Sequence, residues 1–323
     1  MKRKQSKMTQ PLSHNFPAIA VAPGFRVYSG HEKMWAMLVT YLQLFKLRSA
    51  VLNLLSALVG MFLAAGPDIP AGTAFFLLVS GLLAAAGCGA LNSYIDRDLD
   101  RIMYRTSLRP LPMGKIKSAR RALYAGVFMV IAGLIISALR VNLVTALFIA
   151  SGSVIYIFAY TIWLKRRTPW SVAVGGLAGV CALLAGWAAV STQFNLSLLL
   201  FSVFVYLWTH AHFWGLAIKN KNESQRAKIP TLPVVYGVKT ASRWAALSGM
   251  FLLPLSIIPY SMGILDGVYV IVTLTIGIIV LAANIKLYFS PTAQNAWLVF
   301  RLSSPYLAGI YLAVIIDILG AHA

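Results

Sequence analysis

"AGTAFFLLVSGLLAAAGCGALNSYIDRDLD", residues 71–100, joins a long apolar run to a cluster of three aspartates. The run over residues 71–95 carries no charged side chain. It exceeds the roughly 20 residues that a helix needs to cross about 30 Å of hydrocarbon. Its apolar residues are continuous and lack the period-2 alternation of strands in a membrane barrel. The stretch therefore predicts a membrane-spanning helix that ends in a polar, acidic segment.

Similar apolar runs recur along the whole chain of 323 residues. Hydrophobic residues make up 59% of it and charged residues 11%, whereas soluble domains average about 45–50% and about 25%. We predict nine spans, at residues 37–65, 71–95, 120–139, 141–161, 171–191, 196–217, 241–263, 266–287 and 296–319. The predicted fold class is all-α, a polytopic membrane protein with nine transmembrane helices.

The net charge of +20 follows the predicted topology. With nine spans, one side of the membrane carries every Lys and Arg among the 28 except Arg140. The positive-inside rule then predicts a cytoplasmic N-terminus and an outer C-terminus. The charge therefore indicates a lipid bilayer as partner and no nucleic acid. A prokaryotic cytoplasmic (inner) membrane is favoured over the mitochondrial inner membrane.

Two further features are the N-terminal segment and the two cysteines. Residues 1–35 are basic and polar and contain three prolines, which predicts a disordered cytoplasmic tail before a single domain at residues 36–323. Cys88 and Cys181 lie inside predicted spans, so neither a disulfide framework nor a cysteine metal site is indicated.

A weak internal repeat connects the two halves of the domain. "KLRSAVLNLLSALVG" begins at Lys46 and "KRRTPWSVAVGGLAG" begins at Lys165, and the Lys, Arg and final Gly keep register. Helices 1–4 and 5–8 are therefore predicted to form tandem repeats, with corresponding long loops after helices 2 and 6.

The three aspartates are the most informative residues, because the chain has only eight acidic residues. On a helix, Asn92, Asp96 and Asp100 are spaced i, i+4 and i+8 along one face, whereas Asp98 points away. Unpaired carboxylates at that spacing repel, so a divalent cation is expected between them. Carboxylate and amide oxygens without His or Cys suit Mg²⁺, which completes its shell with water and substrate phosphate.

Arginines follow the acids at the same spacing. Arg101, Arg105 and Arg109 continue the helical pattern until Pro110 ends it, and guanidinium groups suit phosphate oxygens. Acids for Mg²⁺ and bases for phosphate at a membrane surface indicate a diphosphate whose remainder is lipidic. The alternative is that these charges only fix topology, but Asp contributes little to that.

Three residues of the sixth span and its loop have two interpretations each. Glu223 lies after helix 6, where it faces Asp96 and Asp100 across a polar cavity if the repeats pack face to face; otherwise it is a solvated loop residue. His210 and His212 point in different directions on helix 6. Each is either a haem or substrate contact or a hydrogen-bonded structural histidine.

The stretch "NSYIDRDLDRIMYRTSLRPLPMGKI" resembles the first aspartate-rich motif of the UbiA-type intramembrane prenyltransferases. Within that family, "YTIWLKRRTP", "HFWGLAI" and "IPTLPVVYG" look like the haem O synthases, also called protohaem IX farnesyltransferases. The four matches occur in order and cover nearly all of the chain.

The resemblance implies nine helices around a central cavity, with Mg²⁺ held between two acidic motifs. The implied activity is transfer of a farnesyl group from farnesyl diphosphate to a vinyl group of haem B, giving haem O after Mg²⁺-assisted ionisation. The implied partners include a haem A synthase or a haem–copper oxidase assembly. The implied catalytic and metal-binding residues are Asn92, Asp96, Asp100 and Glu223. The implied diphosphate-binding residues are Arg105, Arg109, Lys165, Arg166, Arg167 and Lys219. The implied haem contacts are His212, His210 and Trp208.

The chain departs from the family pattern where the acceptor is expected to bind. It has His210-Ala211 and Ala182-Leu183 where the family usually has paired prolines, and Ser224 where an aromatic residue usually follows the acid. A prenyltransferase acting on a quinone-precursor ring or a chlorin therefore remains an alternative. A haem carrier or transporter is a further alternative, although transporters place their polar groups near the bilayer midplane rather than at one face.

Overall fold

The computed structural model describes residues 30–321, and every regular element in that range is a helix. The helices are α1 (Gly30–Leu44), α2 (Leu47–Ala65), α3 (Ala71–Ile95), α4 (Arg97–Ile102), α5 (Tyr104–Ser107), α6 (Ala119–Arg140), α7 (Leu143–Val154, continued by a π-helix at Ile155–Leu164), α8 (Ser171–Ala188), α9 (Leu196–Lys219), α10 (Lys221–Arg226), α11 (Leu232–Val235), α12 (Gly237–Met250), α13 (Leu252–Ser261), α14 (Gly267–Phe289) and α15 (Ala293–Gly320).

Nine segments of this described range are long and apolar enough to cross a membrane. They are Leu47–Ala65, Ala71–Ile95, Ala119–Arg140, Leu143–Leu164, Ser171–Ala188, Leu196–Lys219, Gly237–Ser261, Gly267–Phe289 and Ala293–Gly320. The predicted all-α class with nine spans is confirmed, and the chain is an integral membrane protein. The orientation of its termini and the central cavity stay predictions.

The start of the first span differs from the predicted 37–65. The helix is interrupted at Lys46, whose backbone is left-handed with φ 52° and ψ 45°. That conformation costs an L-residue about 1–2 kcal/mol and does not continue a right-handed helix. The apolar pattern runs through this break, which is why hydropathy alone placed the start ten residues early. Most of the predicted basic tail lies outside the described residues, and α1 begins at Gly30.

Consecutive spans pack against one another, and α15 returns to α2. Other contacts cross that order: α2 packs along α8, α9 packs along α15, and α3 also contacts the fourth span. The approach of α2 and α8 depends on Gly186, where a Cβ atom would lie 1.8 Å from the carbonyl oxygen of Ala57. Small residues at such crossings let membrane helices pack backbone to backbone.

Two connections with short helices lie next to each other. The first carries α4 and α5 between α3 and α6, and the second carries α10 and α11 between α9 and α12. Met103 of the first packs with Ala227 and Ile229 of the second in one buried apolar cluster. The acidic segment after α3 and the one after α9 are therefore neighbours in the fold.

The fourth span changes from an α-helix to a π-helix over Ile155–Leu164. The wider register is visible where the backbone N–H of Lys165 donates to the carbonyl of Tyr160, five residues earlier, at 2.9 Å. Long π-helical stretches are rare and often occur at functional sites. This one ends directly at Lys165, one of the predicted diphosphate-binding residues.

Asp317 has a structural role at the opposite end of the spans from Asp96. Its buried carboxylate accepts hydrogen bonds from the backbone N–H groups of Asp266, at 2.5 Å, and Tyr269, at 3.0 Å, at the start of α14. Negative charge there satisfies exposed N–H groups and the helix dipole. Both carboxylate oxygens of Asp317 therefore bind the start of α14 and hold α15 to it.

Candidate active site

Asp96 lies at the junction of α3 and α4, and its side chain is 1% exposed. Its Oδ2 accepts hydrogen bonds from Asn92 Nδ2 at 2.9 Å and from Lys165 Nζ at 2.5 Å. Its Oδ1 is buried and has no hydrogen-bond partner. A buried carboxylate oxygen without a partner is costly, so this atom is a natural ligand for a cation.

The Asn92 amide connects the acid to two other segments. Its Oδ1 accepts from the ammonium of Lys46, and its Nδ2 donates to Thr161 Oγ1 at 3.0 Å as well as to Asp96. This orientation is required by the chemistry of its neighbours, because an ammonium can only donate and a carboxylate can only accept. Three segments, Lys46, the end of α3 and the π-helix, therefore meet at one amide.

Lys46 contacts Asn92 and was not among the predicted site residues. Burial, followed by the positive charges of Arg109 and Lys165, lowers the pKa of its ammonium to about 7, against the opposing effect of Asp96 and Asp100. The break before α2 allows it to reach α3, where Gly89 leaves room for the backbone of Phe45. The internal repeat could have indicated Lys46, because Lys46 and Lys165 begin the two similar stretches.

Asp100 is 3% exposed and is held by Arg109. The Nη1 of Arg109 lies 2.9 Å from Oδ1 and 2.8 Å from Oδ2 of the carboxylate. The prediction that Arg101, Arg105 and Arg109 continue one helix is wrong. Met103 has extended backbone angles that end α4 at Ile102, and the chain then turns back so that Arg109 reaches Asp100.

The predicted outward direction of Asp98 is confirmed. Its side chain is 65% exposed, and it lies 3.8 Å from Arg97 and 3.7 Å from Arg101, both on its own helix. Exposed pairs of this kind contribute little free energy. Asp98 and Arg101 are therefore outside the buried group formed by Asn92, Asp96 and Asp100.

Glu223 lies on α10 and contacts the first connection. Its Oε2 accepts a hydrogen bond from the backbone N–H of Arg105 at 3.3 Å. It is half-buried, and its partner in this structure is the α5 backbone rather than an aspartate. The two acidic segments are thus brought together, and a direct role of Glu223 toward a metal stays a prediction.

The remaining predicted diphosphate-binding residues are all exposed. The Nη2 of Arg166 is 3.5 Å from the carbonyl oxygen of Ile95, at the end of α3. Arg105, Arg167 and Lys219 are exposed, and Lys219 lies in the last turn of α9. Of these basic residues, Lys165 and Arg109 make the direct contacts with the buried acids.

The predicted haem contacts lie on α9 and are used in its packing. Trp208 Nε1 donates to the carbonyl oxygen of Ser303 on α15 at 2.7 Å, and His212 Nδ1 lies 2.6 Å from Ser303 Oγ. The same hydroxyl lies 2.7 Å from the carbonyl oxygen of Phe300. His210 Nδ1 donates to the carbonyl of Tyr206 at 2.7 Å. Contact with haem stays a prediction for all three.

The donor set around Asp96 fits Mg²⁺. The free Oδ1 of Asp96, the carboxylate of Asp100 and the Asn92 amide oxygen are hard oxygen donors on neighbouring turns. Within residues 30–321, no group of three or more His, Cys, Asp or Glu side chains gathers as a metal site.

A sequence model of the UbiA prenyltransferase family matches residues 53–305. The protoheme IX farnesyltransferase of Desulforudis audaxviator is 37% identical over 260 residues, which cover 80% of this chain and 82% of that protein. The protoheme IX farnesyltransferase of Metallosphaera sedula is 36% identical over 281 residues, covering 87% and 96%.

Solved structures share the fold at low sequence identity. A digeranylgeranylglyceryl phosphate synthase superposes with a TM-score of 0.72 at 20% identity, covering 88% of this chain and 99% of its own. A UbiA homologue from Archaeoglobus fulgidus bound to DMAPP and Mg²⁺ superposes with a TM-score of 0.64 at 19% identity, covering 85% and 99%. At such identities the likeness establishes the arrangement of helices alone.

Proposed function

The chain belongs to the UbiA prenyltransferase family, and from this premise we propose that it transfers a farnesyl group from farnesyl diphosphate to a vinyl group of haem B, which gives haem O. One observation carries the proposal. A buried carboxylate, Asp96, has one oxygen paired with Lys165 and the other without a partner, at the end of a membrane-spanning helix. That arrangement suits a cation and a diphosphate together.

The cations of the site are placed to hold a diphosphate beside the acids. Lys165 and Arg109 each use only part of their donor capacity on Asp96 and Asp100. Their remaining N–H groups, with those of Lys46, can donate to phosphate oxygens. The same contacts hold the carboxylates in place, so the acidic and basic halves of the site support each other.

Asn92, Asp96, Asp100 and Glu223 are the residues that would hold Mg²⁺. Bound Mg²⁺ would supply positive charge to the diphosphate as it leaves. The protein supplies the rest of the stabilisation, because Lys46, Lys165 and Arg109 are fixed before the reaction and need no reorganisation as charge develops. Apolar helix surfaces would keep water from the allylic cation.

The proposed reaction forms one carbon–carbon bond. The C1–O bond of farnesyl diphosphate breaks and diphosphate leaves with the bonding electrons. The vinyl group of haem B then donates its π electrons to C1, and the resulting cation on the side chain is captured by water, which loses a proton. The product carries a hydroxyethylfarnesyl side chain, which defines haem O.

We further propose that the chain resides in a prokaryotic cytoplasmic membrane with this site facing the cytoplasm. The basis is the sequence, in which the nine predicted spans leave Arg140 as the one Lys or Arg on the other side. Haem O would then pass to a haem A synthase or a haem–copper oxidase assembly.

The test is an acceptor comparison with the purified protein in nanodiscs. Farnesyl diphosphate and Mg²⁺ are added with haem B, with a quinone-precursor phenol or with a chlorin, and products are separated by mass. The proposal predicts a farnesylated, hydrated haem and no prenylated phenol or chlorin. A prenylated phenol or chlorin without a haem product would reject haem as the acceptor but keep prenyl transfer. Haem binding without any product would favour a carrier.

A further inference from the structure

Thr161 is a fully buried hydroxyl residue on the π-helix, opposite Asn92. Its Oγ1 donates to the carbonyl oxygen of Tyr156 at 2.7 Å and accepts from Asn92 Nδ2 at 3.0 Å. A hydroxyl has one hydrogen, and here the backbone carbonyl takes it, so the lone pairs of Oγ1 face the amide. Thr161 therefore acts toward Asn92 only as an acceptor.

Together with Asp96 and Lys46, this acceptor fixes the amide of Asn92 in one orientation. Both hydrogens of Nδ2 are used, one by Thr161 and one by Asp96 Oδ2. Rotating the amide by half a turn would place its oxygen against the carboxylate and the hydroxyl lone pairs, and its N–H groups against the ammonium of Lys46. The Oδ1 atom of Asn92 therefore faces the side on which Lys46 lies, where it accepts from the ammonium and could also bind a metal cation.

The π-helix makes this contact together with the Lys165 contact. A threonine in an α-helix usually bonds the carbonyl four residues earlier, whereas Thr161 bonds Tyr156, five residues earlier. The backbone of Lys165 repeats that spacing to Tyr160. The π-helical spacing therefore places Thr161 against Asn92 and Lys165 against Asp96.

We propose that Thr161 is a positioning residue for the metal site, which holds the Asn92 amide so that its oxygen is available as a Mg²⁺ ligand. The inference rests on the proposed function, since it assigns Asn92 to the metal. Thr161 itself touches neither metal nor substrate. Partners that orient a metal ligand typically change metal affinity about 10- to 100-fold when they are removed.

The experiment measures binding of Mn²⁺ to the full chain in nanodiscs by electron paramagnetic resonance, with inorganic diphosphate present. Thr161→Val keeps the shape and removes the hydroxyl, and Thr161→Ser keeps the hydroxyl. We expect Thr161→Val to weaken Mn²⁺ binding about tenfold or more and Thr161→Ser to stay within about twofold of the wild type. In turnover, Thr161→Val raises the Mg²⁺ concentration for half-maximal rate more than it lowers the rate at saturating Mg²⁺.

Thr161→Ala is a second variant in case a methyl group against the amide prevents folding, and it is expected to lose Mn²⁺ affinity like Thr161→Val. Wild-type affinity in the variants without the hydroxyl overturns the inference, as does an equal loss in Thr161→Ser. Failure of the wild-type chain to bind Mn²⁺ is a different result, because it rejects the metal role of the whole site.

Discussion

Lys165 and Asp96 form a buried ion pair of 2.5 Å that joins the end of the π-helix to the end of α3. The aspartate side chain is 1% exposed and the lysine side chain is 19% exposed. Desolvating a carboxylate to that degree is costly unless a partner compensates the charge. The lysine compensates the charge of the buried carboxylate through Oδ2, and Oδ1 is left without a partner, where a second cation could bind.

Asp96→Asn removes the charge at the centre of the site and keeps the shape of the side chain. We expect kcat for prenyl transfer to fall about 100-fold or more, with haem binding retained. The matched control is Asp98→Asn, two residues away and 65% exposed, which should keep wild-type turnover. Unchanged turnover in Asp96→Asn would remove this residue from the metal site.

Lys46→Met tests the residue that the structure adds to the predicted site. Losing one charge-assisted hydrogen bond to phosphate should raise KM for farnesyl diphosphate about tenfold or more. Arg48→Met is the control, because Arg48 is an exposed cation two residues later, in the first turn of α2. Steady-state kinetics at saturating Mg²⁺ give both values. Equal effects in the two variants would mean that only surface charge matters.

Arg109→Lys keeps the charge beside Asp100 but removes the guanidinium group whose Nη1 contacts both carboxylate oxygens. We expect kcat/KM to fall about tenfold, because the guanidinium donors that Asp100 does not use would be lost to the diphosphate. Arg101→Lys serves as the comparison, since Arg101 is 62% exposed and only 3.7 Å from an exposed acid. A wild-type value for Arg109→Lys would show that charge alone suffices there.

Gly186→Ala tests the crossing of α2 and α8. The added methyl group would lie 1.8 Å from the Ala57 carbonyl oxygen, so the helices must separate. Overpacking typically costs about 1–3 kcal/mol, and the thermal midpoint in detergent should fall. Gly72→Ala, where a Cβ atom meets nothing within 4 Å, should leave the midpoint unchanged or raise it. A stable Gly186→Ala chain contradicts this packing.

Much of the fold could be predicted because each span is continuously apolar and each basic loop falls on the same side. The break at Lys46 could not, because residues 37–44 and 47–65 have the same apolar character, and only the backbone conformation separates them. For the same reason the sequence did not reveal the π-helix, whose residues read as an ordinary apolar helix.

The grouping of Asn92, Asp96 and Asp100 could be predicted from the sequence because helical i, i+4 spacing continues across the α3–α4 junction. The backbone N–H of Asp96 donates to Asn92 and that of Asp100 donates to Asp96, at 2.9 and 2.8 Å. Lys46 and Thr161 were not predicted, because a contact over 46 or 69 residues depends on tertiary packing. The path of Arg109 back to Asp100 was missed because Met103 ends the helix without a Pro or Gly signal.

The most direct test of the central claim is to extract the haems from membranes of cells that have this chain, lack it, or carry only Asp96→Asn. Liquid chromatography with mass detection would identify haem B and its farnesylated, hydrated product. A magnesium-dependent prenyltransferase centred on Asp96 predicts haem O in the first cells and haem B alone in the other two. Haem O at equal abundance in all three would contradict it.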